Sequence, residues 1–128
     1  MSDTLEHHAP NALKPWANNA RTHSKKQLRQ IADSIEEFGF TNPVLIDQDY
    51  TILAGHGRVE AAKQLKMETV PCLRQDQMTE EQKRAYVLAD NKLAENAGWD
   101  EELLSIEFGA LHELDLDFSL DITGFSIA

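Results

Sequence analysis

From residue 24 onward, apolar residues fall into short blocks whose spacing switches between the helical and the extended repeat. Leu28, Ile31, Ile35 and Phe38 recur on one helical face behind the capping-box pair Ser24 and Gln27. Gly39 supplies a stop, so the pattern predicts a helix over roughly 25–38. Val44-Leu45-Ile46 and Thr51-Ile52-Leu53-Ala54 are β-rich runs either side of the polar turn Asp47-Gln48-Asp49-Tyr50, and predict an antiparallel pair. The second run leads into Gly55-His56-Gly57-Arg58, after which Val59, Ala62 and Leu65 mark a short helix ending near Met67. Val70-Pro71-Cys72-Leu73 predicts a third short strand, with Pro71 better suited to a sheet edge than to its middle.

Thr79 and Gln82 repeat the capping-box spacing ahead of a helix that carries Tyr86, Ala89 and Leu93 and ends near residues 96–98. Asp100 caps a further helix with a stripe of Leu104, Leu111 and Leu114, in which Gly109 is a candidate break. Over 114–122 the repeat becomes strict alternation: Leu116, Phe118, Leu120 and Ile122 on one side, Asp115, Asp117, Ser119 and Asp121 on the other. That predicts an edge strand or a docking segment. Ahead of residue 24, Pro10, Pro15 and Asn18-Asn19 predict an irregular arm anchored by Trp16. Helices of modest length mixed with short strands, without a repeat of fixed period, predict an α+β domain. The division expected is a flexible arm over 1–12, a folded unit over 13–98 and an acidic helical or extended segment over 99–128. The apolar last residues suggest the front of a longer protein.

Composition adds a boundary to this picture. The chain has 128 residues, 41% of them hydrophobic, enough for one core. The formal charge of −10 is one-sided: residues 1–75 balance nine basic against nine acidic side chains, whereas residues 76–128 hold three against thirteen. The second part would repel a phosphate backbone, so DNA contact falls to the first part or to a fused domain. No apolar run approaches the roughly 18 to 20 residues that cross a bilayer, and the start of the chain lacks a signal-peptide layout. With a single cysteine, Cys72, the expectation is a cytoplasmic protein away from the membrane.

The glycine turn carries the chemistry. A strand that ends in two glycines and opens a helix gathers unpaired backbone N–H groups at one point, where the helix dipole also favours an anion. Gly55 and Gly57 admit a close approach of phosphate to the main chain, and Arg58 adds a planar, fixed positive charge. Local sequence alone leaves a second reading open, in which the glycines only shape a tight turn and Arg58 lies in solvent. Cys72, in an apolar strand, reads as buried core and not as a nucleophile.

The ordered set SIEEFGFTNPVLI (34–46), AGHGRVEAAKQL (54–65), VPC (70–72) and LADNKLAEN (88–96) resembles the N-terminal domain of ParB proteins and the related sulfiredoxin fold, over about residues 13–96. The resemblance implies a small mixed sheet with flanking helices and a helical C-terminal region. It also implies a cleft for a nucleoside triphosphate, CTP or ATP, with Mg²⁺. Carried over by position, Gly55, His56, Gly57 and Arg58 would grip phosphates, and Gly39, Phe40, Thr41, Asn42 and Pro43 would line the nucleoside side. Asp90 and Asn91 would hold the metal, and Arg21 would reach in from the arm. His56 stands where sulfiredoxins carry a cysteine, which excludes that enzyme's thiol chemistry.

GHGRVEAA, WDEELL and ITGF further resemble ParB-like domains fused ahead of DNA methyltransferases in phages and mobile elements. The resulting expectation is a regulatory nucleotide-binding module of a DNA modification or partitioning protein, with slow nucleoside triphosphate hydrolysis left open. A methyltransferase domain, DNA or a second copy forming a homodimer would be its partner. The alternatives are a ParB-like DNA nuclease or DNA-binding domain, and a non-catalytic interaction scaffold.

Overall fold

The computed structural model describes residues 4–17, 22–96 and 98–125. In chain order the elements are β1 (Glu6–His8), a 3-10 turn (Pro10–Ala12), α1 (Lys25–Phe38), β2 (Val44–Ile46), β3 (Ile52–Ala54), α2 (His56–Gln64), β4 (Val70–Arg74), α3 (Glu80–Asn96), α4 (Glu101–His112) and a second 3-10 turn (Leu120–Thr123). The four strands form one mixed sheet in the order β1-β4-β2-β3, antiparallel except for the β2–β4 pair. The fold is therefore α+β, with its crossover between parallel β2 and β4 made through β3 and α2.

Val44, Ile46, Ile52, Val70 and Cys72 of the sheet meet Val59 and Ala62 of α2 and Leu13 of the N-terminal segment in the core. Phe40 and Met67 pack against its margin. The caps read from the sequence hold: Ser24 Oγ accepts the Gln27 N–H, and Thr79 and Gln82 exchange side-chain bonds at 2.8 and 3.1 Å. Asp100 Oδ1 accepts the N–H groups of Glu102 and Leu103, and α4 runs on unbroken through Gly109. Nothing crowds that glycine, so its cost is one of propensity alone.

Three expectations are corrected. In place of a flexible arm, residues 6–8 pair with β4 as a strand, because Glu6 is held there by Arg74, and residues 10–12 form a turn that buries Pro10. Pro71 sits in an inner strand. Gln75 N–H donates to Ile46 O, so the donors of residues 71 and 73 also face β2. That strand begins at Val44, opposite Cys72, and the missing N–H thus falls one residue before the parallel ladder starts. Finally, 114–122 forms no strand. The alternation survives as a docking segment, with Leu120 buried, Phe118 edge-on to Phe38, and the aspartates outward.

Two ion-paired cations absent from the sequence reading, Lys83 and Arg74, pin the sheet. Lys83 Nζ lies 3.1 Å from Asp47 Oδ2 and 3.0 Å from Glu80 Oε1, with its side chain 1% exposed. Arg74 meets Glu6 Oε1 at 2.7 Å, donates to the carbonyls of Asp47 and Gln48, and lies over the Tyr50 ring. The hydrogen bond from Arg74, and then that with His8, lowers the Glu6 carboxyl from 4.5 to about 2. A depressed carboxylate contributes stability that is full above its unfolded value and is lost as pH falls through the folded one. The Glu6 share therefore disappears between pH 4.5 and about 2. In urea titrations across that window, Glu6→Gln flattens the fall in midpoint; an unchanged slope would show that Arg74 does not stabilise the charged form.

Candidate functional site

β3 ends at Ala54 and the chain reverses at Gly55, whose φ of 108° and ψ of 20° are left-handed. α2 starts at once, with Val59 N–H bonded to Gly55 O, so the N–H groups of His56, Gly57 and Arg58 have no intrahelical acceptor, and Gly55 at the cap has no side chain to serve them. They stand together at the start of α2, where the helix dipole favours negative charge. The two glycines differ in purpose. A Cβ at Gly55 would stand 2.9 Å from Arg58 Nη2 and 3.4 Å from Val44 Cα, in a backbone conformation that L residues avoid. A Cβ at Gly57 would meet His23 and Ile31 at 2.9–3.1 Å, so this glycine lets α1 pack onto α2. Gly55→Ala is expected to cost about 1–3 kcal/mol of stability and to displace the arginine; thermal melts and ligand titration check both.

Arg58 is half-buried. Its Nη2 donates to Pro43 O at 3.2 Å, and its buried Nε has no hydrogen-bond partner among the described residues. Burial pulls the guanidinium below its ordinary value, while the nearby Asp90 carboxylate and Tyr86 push back. A buried guanidinium donor that lacks an acceptor costs about 1–3 kcal/mol until it is satisfied, so this position favours an oxyanion within reach.

α3 delivers Asp90 and Asn91 across from the turn. The Asn91 Nδ2 donates to Val87 O at 2.9 Å, so its amide oxygen is the atom with ligand chemistry, and Tyr86 Oη reaches Asp90 Oδ1 at 3.5 Å. Both residues line one pocket with Gly55, His56, Gly57 and Arg58. A second, larger pocket of about 450 Å³ opens on the other side of Arg58 and is walled by Gly39, Phe40, Thr41 and Asn42. Arg58 and Ile31 belong to both, making a two-part cleft of a size that suits a small polar ligand.

The remaining candidates fall out as follows. Pro43 is not in either wall and serves through its carbonyl on Arg58. The His56 imidazole is engaged on one side: Nε2 accepts the Trp16 N–H at 3.0 Å. Burial, then neighbouring His23, lowers its pKa against the pull of Glu60, which keeps it the neutral acceptor that this bond needs. With Nε2 accepting, the ring proton of the neutral imidazole sits on Nδ1. Arg21 lies outside the described residues. Cys72 is fully buried and its thiol is pushed up to about 11, by burial first and Glu6 second, the state of an inert core cysteine.

The sequence reading missed several contributors. Gln27, Gln30 and Ile35 of α1 line the larger pocket, and His23 lines the smaller one; the signal of His23 was only its place beside the Ser24 cap. Ile122, Thr123 and Gly124 line the larger pocket, and the alternation that revealed their segment gave no destination for it. Among the described residues, no three His, Cys, Asp or Glu side chains converge as a metal cluster, and no helix is long and apolar enough to cross a membrane.

Comparison with known proteins places this geometry. The ParB N-terminal domain family matches residues 2–92. The ParB-like nuclease domain-containing protein YnaK of Escherichia coli is 56% identical over 72 residues, which are 56% of this chain and 83% of that protein. A Rickettsia bellii protein named "Probable chromosome-partitioning protein ParB" is 32% identical over 62 residues; these cover 48% of this chain and 22% of that one. The chain thus spans about a fifth of the length of that partitioning protein. Among solved structures, the C-terminally truncated chromosome-partitioning protein ParB from Caulobacter crescentus, complexed with CTP-gamma-S, superposes with a TM-score of 0.73 at 20% identity. The overlap covers 86% of this chain and 63% of that one. Sulfiredoxin from Arabidopsis thaliana matches with a TM-score of 0.54 at 20% identity, over 66% of this chain and 97% of that one.

Proposed function

Because this chain belongs to the ParB N-terminal domain family, we propose that its two-part cleft binds a nucleoside triphosphate, with CTP or ATP as the candidates. The observation that carries the reading is Arg58: a half-buried guanidinium whose Nε has no partner among the described residues, beside three helix N–H groups that lack an intrahelical acceptor. Phosphates would lie against Gly55–Arg58, and the nucleoside would extend past Arg58 toward Gly39–Asn42. The CTP analogue held by the Caulobacter ParB supports a cytidine ligand as the first to test.

One carboxylate and one amide oxygen, from Asp90 and Asn91, suit Mg²⁺, which keeps several waters and takes the rest of its ligands from phosphate. When bound, the metal would neutralise phosphate charge close to Asp90, which otherwise repels it. The chain's own residues bind and orient: Arg58 fixes the phosphates, and the Arg58–Pro43 bond ties their position to the loop ahead of β2. Such a module would serve a DNA modification or partitioning protein by favouring one arrangement of α3 when the nucleotide is present. Contact with DNA falls to residues 1–75, where basic and acidic side chains balance, and a methyltransferase domain or a second copy would receive the signal.

The name of the Escherichia coli relative brings nuclease activity as the second reading. Metal-assisted phosphodiester cleavage draws on several converging carboxylates, whereas Asp90 is the carboxylate lining the cleft beside Arg58, which favours binding over cleavage. The test is calorimetric titration of the native chain with CTP, ATP and GTP, with and without Mg²⁺, alongside incubation with plasmid DNA. Saturable binding that weakens with Asp90→Ala only when Mg²⁺ is present supports the proposal. Absence of binding by a folded chain, or plasmid cutting abolished by Asp90→Ala, would replace it.

A further inference from the structure

The larger pocket has a wall that the family match does not include. The match ends at residue 92, yet Ile122, Thr123 and Gly124 line that pocket together with Phe40 and Ile35. Their segment is held at several points. Leu120 is buried, Phe118 stands edge-on to Phe38 of α1, and Gln30 Nε2 donates to Asp121 O at 3.4 Å. Thr123 Oγ1 donates to Leu120 O at 2.7 Å and Gly124 takes a left-handed φ of 86°, which closes the turn on itself. At the far end Phe125 packs edge-on between Trp99 and Phe108.

The geometry points to residues 118–125 as a wall, supplied in cis, that determines which base the cleft accepts. This inference rests on the nucleotide reading above. Ile122, Ile35 and Phe40 offer apolar surface to the faces of a flat heteroaromatic ring, while Gln27, Gln30 and Asn42 offer amides to its edge. Charge adds direction. Asp121 is exposed beside Ile122, with Asp115 and Asp117 just before it, so the segment repels phosphates from its own end of the cleft and leaves them to Arg58. Base recognition in this chain is therefore built partly from residues outside the matched domain.

The experiment titrates CTP, ATP and inorganic triphosphate, all with Mg²⁺, into the native chain, Ile122→Ala, and a chain stopped after Leu114. Ile122→Ala is expected to weaken the preferred nucleoside triphosphate about five- to tenfold and to leave inorganic triphosphate unchanged. The shortened chain is expected to bind CTP and ATP alike. Ile122 is half-buried, so its variant decides the matter if the shortened chain fails to melt cooperatively. Native affinity and base ranking in the folded variants would overturn the wall while leaving the nucleotide site standing. A native chain that binds no triphosphate would overturn both.

Discussion

Arg58→Ala is expected to lose saturable triphosphate binding while its melting temperature stays within about 5 °C of the native chain. Charge-assisted bonds from a guanidinium to phosphate contribute about 1.5–3 kcal/mol each, so losing two of them weakens binding by roughly a hundredfold or more. Stability moves little because two effects oppose. The variant gives up the bond to Pro43 O, but it also removes a buried Nε that has no acceptor among the described residues. A collapse in melting temperature would mean that Arg58 is a structural residue; unchanged affinity would place the phosphates elsewhere. Arg58→Lys separates charge from shape, because an ammonium cannot reproduce the planar pair of donors.

Lys83→Ala is expected to destabilise the fold by about 3–5 kcal/mol, the cost of stranding a buried charge by removing its partner. Asp47 would remain, and its position is fixed by other duties: Oδ1 accepts the N–H groups of Asp49 and Thr51, which form the turn between β2 and β3. Burial opposes the charge on Asp47, and those two N–H groups and Lys83 overcome it, holding its carboxyl below the ordinary value. Lys83→Met, which restores the packing but not the charge, should recover little; chemical denaturation measures both. A loss below about 1 kcal/mol in the alanine variant would show the pair to be no stronger than a surface bridge. The same lysine bears on function, because Lys83, Val87, Asp90 and Asn91 recur at helical spacing on α3, so the anchor at its start aims the two ligand candidates at its middle.

Local patterns carried well from sequence to structure wherever the signal was local. The caps at Ser24, Thr79 and Asp100, the turn at Asp47–Tyr50 and the glycine turn that opens α2 are each decided within four or five residues, and each is where the sequence pattern predicts it. The misses share one cause, which is pairing over long distance. Nothing near Glu6 announces Arg74, and nothing near Lys83 announces Asp47, yet those pairs decide that the first residues form a strand and that α3 lies on the hairpin. Pro71 was read against the middle of a sheet on a sound rule, which failed only because the parallel ladder begins one residue later. For the cleft, the order of motifs sufficed to name the glycine turn and α3, while the share of 118–125 needed the fold.

The N-terminal segment touches both borders of the sheet. Residues 6–8 pair with β4 on one side, and six residues later Lys14 exchanges bonds with Tyr50 O and Ile52 N–H beside β3 on the other. Open borders of small sheets are templates for uncontrolled strand addition by neighbouring molecules. Here one short stretch of chain acts as a guard on each side, leaving a three-residue strand and an isolated bridge as the only outer pairings among the described residues. Resistance to aggregation at high concentration is thus tied to the stretch 6–14, which lines neither pocket of the cleft, and a chain trimmed of it would bare both borders and lose Leu13 from the core as well.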